Sequence, residues 1–445
     1  MDEIKLSNDV IEQIEDFDHY LLTEEQKLLI DKLITDKELK ERYKKNGLCR
    51  NCKQPNIDYY YCRSSDSKPF KQNFKNWTSG NHVEYLAKGG FGTTFKAVWK
   101  DGPWKINYDN NQLERKGKTG VALKCLHNSQ DITADFLKEV ESNILEYDSC
   151  WIVRCFGITK DPKINNFMMV MELIDGSSRQ HLYNNFISLN WSQKLYSLQC
   201  IAFGLKDIHN KGLIHHDFHS GNILSNFDEY AYITDLGLCQ PANVKSSQNS
   251  NKKIYGVLPY VAPEVLRGKE YTQAIDIYGY GIIAYEICTG FPPYYNIAHD
   301  EFLAIKICHG LRPKCDYKIP QLIVDIINQC WDTDPLKRPN ANELHESIWK
   351  LYEGISYNKV DSVICEQVKE ADETNKKSSS SVQSPISSTS TLSYMTHPQA
   401  VYISRLLNFK NLPEPINADN EDLEYSDSLR MDFTKLDINS KDERN

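Results

Sequence analysis

The stretch His-Asp-Phe-His-Ser-Gly-Asn-Ile-Leu, from His216 to Leu224, decides the fold of this chain. Asn222 lies five residues after Asp217, and Asp235-Leu236-Gly237 begins eighteen residues after that aspartate. An aspartate, an asparagine amide and a second acidic residue before a glycine form a compact set of oxygen ligands. Such ligands suit Mg²⁺, a hard octahedral cation that is usually shared with substrate phosphates. The pattern therefore predicts a magnesium site.

Composition limits the class of protein. The chain has 445 residues, which allows two or three folded units, and 40% of them are apolar, enough for a substantial core. The net charge is −9, from 52 basic and 61 acidic side chains. This acidic balance argues against a general nucleic-acid binder or a binder of anionic membranes.

The cysteines and the apolar runs indicate the compartment. Thirteen cysteines are scattered from Cys49 to Cys365 without the spacing of a disulfide framework. No apolar segment follows the opening Met-Asp-Glu-Ile-Lys, and no apolar run approaches the roughly 20 residues of a membrane span. We expect a soluble protein with free thiols, in the cytoplasm or the nucleus, with no membrane partner.

The N-terminal part of the chain predicts one amphipathic helix. Thr23-Glu24-Glu25-Gln26 has the pattern of a capping box, and the helix is expected to run to about Lys45 and to end at Gly47. Its apolar residues gather on one face amid dense charge. Such a helix needs a packing partner, either within the chain or outside it.

Three cysteines, Cys49, Cys52 and Cys62, follow this helix. A zinc ribbon needs two Cys-x-x-Cys pairs, but Ser65 occupies the position where the fourth thiolate would be. Two interpretations stay open: a zinc site that borrows another ligand, or free thiols of a degenerate ribbon.

From His82 the sequence becomes strand-like, and a glycine-rich turn connects two predicted strands. Val83–Leu86 and Thr94–Trp99 have strand-like patterns, and Ala87-Lys88-Gly89-Gly90-Phe91-Gly92 connects them. Glycines in such a turn let backbone N–H groups approach phosphates without interference from Cβ atoms. The signal is weak by itself, because many hairpins contain two glycines.

Val121–Leu126 has the pattern of a buried strand, and it contains one lysine, Lys124. Because an ammonium group is costly to bury without a partner, a functional role for Lys124 requires an acidic residue nearby. Thr133 can cap a helix that carries Glu139 on the border of its apolar face. The alternative is an edge residue that points to water.

The order of these motifs from His82 to Tyr352 resembles that of the eukaryotic protein kinases. Further matches are Ala262-Pro263-Glu264 and the segment Asp334–Pro339, with periodic helices expected over Trp191–Asn210 and Asp276–Gly290. Within that family the chain resembles the tyrosine-kinase-like branch, and the whole chain is similar to kinase-like proteins of a lineage-expanded fungal family. The resemblance implies a bilobal α+β fold, with a five-stranded antiparallel N-lobe that carries a C helix and a larger, mainly α-helical C-lobe.

The resemblance also implies ATP and Mg²⁺ as cofactors, protein or peptide substrates, and a role in signal transduction. It assigns Asp217 to the substrate hydroxyl, and Lys124, positioned by Glu139, to the α- and β-phosphates. Asn222 and Asp235 would hold Mg²⁺. The implied ATP-binding residues are Leu86, Ala87, Lys88, Gly89, Gly90, Phe91, Gly92, Thr94, Ala122, Lys124, Glu172 and Ile174. The implied structural residues are Glu264, which pairs with Arg338, and Asp276.

His216 stands where the family carries an arginine that grips a phosphorylated residue of the activation segment. Only a charged imidazole could replace that arginine, and weakly. We therefore predict that activity does not depend on phosphorylation of Ser246, Ser247 or Ser250.

Other positions also depart from the family pattern. Ala87 replaces a loop glycine, and Leu236 replaces the usual phenylalanine. His219 stands where serine/threonine kinases carry a lysine, and Val257 where they usually carry a threonine. These last two departures leave the choice of acceptor hydroxyl open between Ser/Thr and Tyr, and we favour Ser/Thr.

Three regions are expected: a helical N-terminal extension with a Cys-rich ribbon-like segment (1–81), a kinase domain (82–353) and a largely disordered Ser-rich and acidic tail (354–445). We interpret the tail as a phosphorylatable interaction segment, with a short docking helix over His397–Leu407. Regulatory partners are expected at the N-terminal helix and the tail.

A kinase fold can be inactive. The alternative is therefore a pseudokinase scaffold that binds nucleotide and partner proteins without transfer. Ala87 and His216 favour this alternative.

Overall fold

The computed structural model describes residues 5–19, 21–48, 53–55, 84–88, 92–107, 112–126, 149–160, 166–174, 176–225, 230–236, 239–241, 254–356, 363–381, 394–409 and 411–417. The chain divides into two compact units, Met1–Ile174 and Asp175–Asn445. The division falls inside the predicted kinase domain.

In the part of residues 5–48 that the structure describes, the first unit has three short helices: α1 (Asn8–Ile14), α2 (Glu24–Leu33) and α3 (Lys37–Asn46). The capping box at Thr23 is confirmed, since its side chain accepts a hydrogen bond from the Gln26 N–H. The prediction of one continuous helix is wrong. The Asp36 side chain caps a new helix by accepting from the Leu39 N–H at 2.8 Å.

A five-stranded antiparallel sheet forms the rest of the first unit, in the order β1-β2-β5-β7-β6. Its core contains buried apolar side chains of the three central strands. A separate hairpin, β3 with β4, lies between β2 and β5 in the chain, where a surface insertion was expected. The strands are β1 (Glu84–Lys88), β2 (Gly92–Trp99), β3 (Trp104–Asn107), β4 (Gln112–Arg115), β5 (Thr119–Leu126), β6 (Cys155–Lys160) and β7 (Phe167–Glu172).

Helices dominate the second unit. The central helix α7 is buried from Ile275 to Thr289, as its apolar sequence predicts. The helix predicted over Trp191–Asn210 is also confirmed, as α5. The helices are α4 (Ser178–Asn185), α5 (Trp191–Asn210), α6 (Pro263–Leu266), α7 (Ala274–Thr289), α8 (Glu301–Cys308), α9 (Gln321–Cys330), α10 (Ala341–Ser356) and α11 (Val363–Ser381).

Among the described residues of the second unit, six short strands form three antiparallel pairs: β8 with β11, β9 with β10, and β12 with β13. Their bounds are β8 (Leu213–Ile214), β9 (Ile223–Ser225), β10 (Ala231–Ile233), β11 (Gln240–Pro241), β12 (Ile254–Gly256) and β13 (Arg405–Leu407). The last pair joins the region before Ala262-Pro263-Glu264 to the C-terminal tail.

The described part of the tail differs from the largely disordered segment that its composition indicated. Residues 363–381 form helix α11, and residues 394–409 and 411–417 pack on the second unit. The helix predicted over His397–Leu407 is wrong, because this stretch is extended and contains β13. No helix in the described ranges is long and apolar enough to cross a membrane.

Candidate active site

Lys124 lies in β5, between β2 and β7, and only 8% of it is exposed. Its ladder partners are Thr94 and Met169 on the neighbouring strands. The interpretation of Lys124 as an edge residue that points to water is therefore wrong. Glu139, the partner that the resemblance implies, lies outside the described residues.

Most of the described residues to which the resemblance assigns ATP binding lie on the same sheet. Leu86, Ala87 and Lys88 are in β1, Gly92 and Thr94 in β2, Ala122 in β5 and Glu172 at the end of β7, with Ile174 just beyond. Ala87 does not adopt a positive φ and pairs with Thr94, so replacing the loop glycine causes no backbone strain. Gly89, Gly90 and Phe91 lie outside the described residues.

Asp276 on α7 holds the loop from His215 to Asn222 in the second unit. Its two carboxylate oxygens accept the backbone N–H groups of His215 and His216 at 2.8 and 3.1 Å, and His209 Nε2 lies 2.9 Å away. Burial alone would raise the pKa of Asp276, but His209 and His215 lower it, so the carboxylate stays ionised. These bonds support the left-handed backbone of His216, whose φ is +70°.

Asp217 is 3% exposed, and a side chain five residues further along the loop fixes its backbone. Asn222 Nδ2 donates to the Asp217 carbonyl oxygen at 2.9 Å. Burial alone would raise the pKa of the Asp217 carboxyl, but His219, the Ser404 hydroxyl and His215 lower it to about 2. Asp217 is therefore a carboxylate at neutral pH, able to accept a hydroxyl hydrogen.

His219 has a defined orientation beside this carboxylate. The Gly221 N–H donates to His219 Nδ1 at 3.0 Å, so in the neutral ring the proton resides on Nε2. His219 Nε2 lies 3.5 Å from Asp217 Oδ2. The ring therefore directs an N–H donor at the carboxylate, from the position where related kinases place a lysine.

Asp235 comes close to the loop through the β9–β10 hairpin. Ile233 pairs with Ile223, and the Thr234 N–H donates to the Asn222 carbonyl oxygen at 3.0 Å. This register places Asn222 and Asp235 at the same end of the hairpin. Asp235 has a φ of +63°, a conformation that costs about 1–3 kcal/mol for a residue other than glycine and is common at functional sites.

The predicted pair between Glu264 and Arg338 is confirmed. Arg338 Nη1 and Nη2 donate to the two carboxylate oxygens of Glu264 at 2.7 and 2.8 Å. The Arg338 side chain is fully buried, and it also donates to the carbonyls of Asp332 and Ala274. This bidentate pair fixes the end of the segment that begins at β12.

Sequence reasoning missed a second buried network near the loop. Arg179 on α4 donates to Glu286 at 2.9 Å, to Ser220 at 2.6 Å and to the Tyr260 hydroxyl at 2.7 Å. Tyr260 in turn donates to Glu286. One signal was available, since Glu286 is an acidic residue within the apolar run of α7.

Sequence reasoning also missed the contact between the tail and Asp217. The Ser404 hydroxyl lies 2.6 Å from Asp217 Oδ1, also contacts Oδ2, and lies 3.3 Å from His219 Nε2. Ser404 immediately precedes β13, which places its hydroxyl against the carboxylate. No sequence motif marks this serine, which is 187 residues from Asp217.

Comparison with known proteins agrees with this geometry. The family model described as protein tyrosine and serine/threonine kinase matches residues 81–348, more than half of the chain. The chain therefore belongs to the protein kinase family, and the bilobal α+β fold expected from its motifs is confirmed. Its assignment to the tyrosine-kinase-like branch stays a prediction.

The chain is similar to curated kinases over part of its length. A Dictyostelium discoideum protein named "Probable serine/threonine-protein kinase roco5" is 32% identical over 60% of this chain and 9% of that protein. "Ankyrin repeat-containing protein kinase A" of the same organism is 28% identical, over 60% of this chain and 18% of that protein. An Arabidopsis thaliana "Protein kinase and PP2C-like domain-containing protein" is 28% identical, over 42% and 34%. The chain thus spans 9–34% of the lengths of these relatives.

Proposed function

We propose that this chain is an active protein kinase that transfers the γ-phosphate of ATP to serine or threonine hydroxyls of proteins. The observation that carries the proposal is the Asp217 carboxylate, which is ionised, oriented by its own loop and in contact with a serine hydroxyl at 2.6 Å. A carboxylate in this position can orient a hydroxyl and accept its proton during phosphoryl transfer.

The side chains of the two units would have separate tasks. Lys124, buried in the sheet of the first unit, would contact the α- and β-phosphates. Asp217 would orient the acceptor hydroxyl, and His219 would direct its N–H at the acceptor oxygen or at the transferring group.

Asn222 and Asp235 are the residues that would hold Mg²⁺. Asn222 uses its Nδ2 as a donor to the Asp217 carbonyl, which leaves its Oδ1 as the ligand atom. An amide oxygen beside a carboxylate is a donor set that fits this hard ion. When bound, Mg²⁺ neutralises charge on the phosphoryl group.

The hydroxyl held at Asp217 supports Ser/Thr as the acceptor. Ser404 immediately precedes β13, which is paired with β12, so the backbone of Ser404 lies close to the loop. A tyrosine at the same backbone position would place its hydroxyl several ångströms farther out. The relatives that are named serine/threonine kinases agree with this preference.

A transfer assay with a radiolabelled γ-phosphate and a mixed peptide library tests the proposal. Asp217→Asn should lower transfer by about 10²–10⁴-fold because a general base is lost. Nucleotide binding, followed by thermal shift or a fluorescent ATP analogue, should remain. Phosphoamino-acid analysis should detect phosphoserine and phosphothreonine.

The second candidate is a scaffold that binds nucleotide and partner proteins without transfer. His216 favours it, since this residue replaces an arginine that active family members carry. Binding of ATP by the wild-type chain with no transfer to any peptide would establish the scaffold and refute the enzyme. Transfer that survives Asp217→Asn would refute the role given to Asp217.

A further inference from the structure

We propose that Ser404 is an intramolecular phosphoacceptor, so that the C-terminal tail of this chain is the first substrate of its own active site. The inference rests on the proposed kinase activity and names one substrate of it. The tail segment from Tyr394 to Asn417, without Lys410, lies on the second unit. It places one hydroxyl, that of Ser404, against the Asp217 carboxylate at 2.6 Å.

Residues before Ser404 fix the approach of the tail. The Tyr402 hydroxyl donates to the Pro293 carbonyl oxygen at 2.9 Å, and the Arg179 guanidinium lies over the Tyr402 ring at 4.3 Å. His299 binds the same stretch, because the Val401 N–H donates to its Nδ1 at 3.1 Å. The residue two positions before the acceptor therefore fills a defined site.

Residues after Ser404 fix its register. Arg405, Leu406 and Leu407 pair with Gly256, Tyr255 and Ile254 of β12 as an added antiparallel strand. Peptides that bind by strand addition gain affinity from main-chain hydrogen bonds and position from the ladder. A shift of one residue would turn Leu407, which is 4% exposed, away from the core.

The end of the segment is fastened far from the loop. Arg267 on the second unit forms a bidentate ion pair with Glu414. Asn417 accepts from the Thr333 N–H and donates to Asp332, each at 3.0 Å. These contacts keep the tail docked without any part in the chemistry.

The chemistry follows from the contacts of the hydroxyl. The Ser404 oxygen forms a bond to the γ-phosphorus of a nucleoside triphosphate, and the bond from that phosphorus to the β–γ bridging oxygen breaks. The nucleoside diphosphate leaves with that electron pair, and the hydroxyl proton passes to the Asp217 carboxylate. His219 Nε2, 3.3 Å from the Ser404 oxygen, positions the acceptor.

Transfer also changes the stability of the docked tail. A phosphoserine carries about −1.5 to −2 charges at neutral pH. At Ser404 this charge would lie against the Asp217 carboxylate, which repels it. Phosphorylation therefore releases β13 from β12 and opens the acceptor site to other proteins.

The experiment uses the full-length chain with radiolabelled Mg·ATP, followed by mass-spectrometric mapping. Phosphate should be found at Ser404 in the wild type and be absent from that position in Ser404→Ala. Thr396→Ala, which removes another hydroxyl of the same segment, is the matched control and should be modified at Ser404 like the wild type. The rate constant should not change over about a twentyfold range of protein concentration, because acceptor and site are on one chain.

A variant that loosens docking provides a second readout. Glu414→Ala combined with Asn417→Ala removes the side-chain contacts at the end of the segment and should slow modification of Ser404 by about tenfold. The same variant should phosphorylate an added peptide faster than the wild type, because the tail competes less. Equal rates for variant and wild type in both assays would overturn the proposal.

Two results separate this proposal from the activity on which it rests. Transfer to an added peptide with no phosphate at Ser404, or with a rate at Ser404 proportional to protein concentration, refutes the intramolecular acceptor and keeps the kinase. No transfer to either acceptor refutes both.

Discussion

At the scale of single residues, His216 explains how the loop is held without the family arginine. Its ring stacks on Tyr271 with centroids 4.4 Å apart and planes 24° from parallel, and its backbone N–H donates to Asp276. The conformation of the loop is therefore supported by buried contacts within the second unit. We therefore predict that the loop keeps this conformation without a phosphate on the activation segment.

The triple variant Ser246→Ala, Ser247→Ala, Ser250→Ala tests this conclusion. These serines lie outside the described residues, but their sequence places them between Asp235 and Glu264. Turnover on an added peptide should stay near the wild-type value, because His216 offers a phosphate only a weak, pH-dependent partner. A loss of about tenfold would show that a phosphate at one of these serines organises the site.

Sequence motifs predicted those site residues whose spacing along the chain is fixed by the chemistry. Asn222 follows Asp217 by five residues because one tight loop must carry both, and that spacing is visible in the sequence. The pairs Arg179–Glu286 and Ser404–Asp217 join residues that are 107 and 187 positions apart. Such contacts depend on packing between elements, so no local pattern could have predicted them.

At the scale of elements, α5 contains an unusual buried charge. Lys194 is 1% exposed, lies over the Phe186 ring at 3.9 Å and donates to the Cys288 carbonyl at 3.2 Å. Burial lowers the pKa of Lys194 from 10.5 to about 8, against weaker contributions that raise it. The helix therefore carries an ammonium group that the folded state holds less readily than the unfolded state.

Lys194→Met should reveal this effect as a change in the pH dependence of stability. Between pH 8 and pH 10.5 the unfolded wild-type chain binds more protons than the folded one, so its free energy of unfolding rises with pH relative to the variant. The relative gain is at most about 3 kcal/mol. Urea unfolding of both proteins measures this gain in the free energy of unfolding. The interval from about pH 6 to pH 7 is the internal control, because the difference in free energy between the two proteins should be constant there. A difference that is also constant up to pH 10.5 would contradict the assignment.

The predicted boundaries of helices and strands were wrong where a capping side chain or a partner distant in sequence determines them. The apolar residues of α2 and α3 fit one helical face, but Asp36 caps a second helix and divides them. The strand β13 has only three residues, too few to show a period of two, and it exists through its pairing with β12. Long helices such as α5 and α7 were predictable because their periodicity extends over several turns.

At the scale of the whole molecule, the tail connects stability with access to the acceptor site. Residues 394–417 bury Leu407 and Leu412 and supply the partner of Arg267. The family match ends at residue 348, so it does not cover this region. Its docking could not be predicted because its composition is that of an interaction segment.

Deletion of residues 394–445 should raise transfer to an added peptide and lower the melting temperature of the second unit. The physical reasons are an emptied acceptor site and the loss of two buried leucines, each worth about 1.5–3 kcal/mol when fully buried. Deletion of residues 418–445 is the matched control, since it leaves every described contact of the tail intact. Equal activity of the two truncated proteins would show that the docked segment does not obstruct the site.

The pleat of β13 sets which neighbours of an acceptor can govern selectivity. Side chains alternate between the two faces of a strand, and here Leu407 is 4% exposed whereas Leu406 is 47% exposed. A foreign peptide that follows the same ladder would be selected at the first and third positions after its serine. The second position would tolerate most side chains. The peptide preference would therefore rest on alternate residues after the serine and not on consecutive ones.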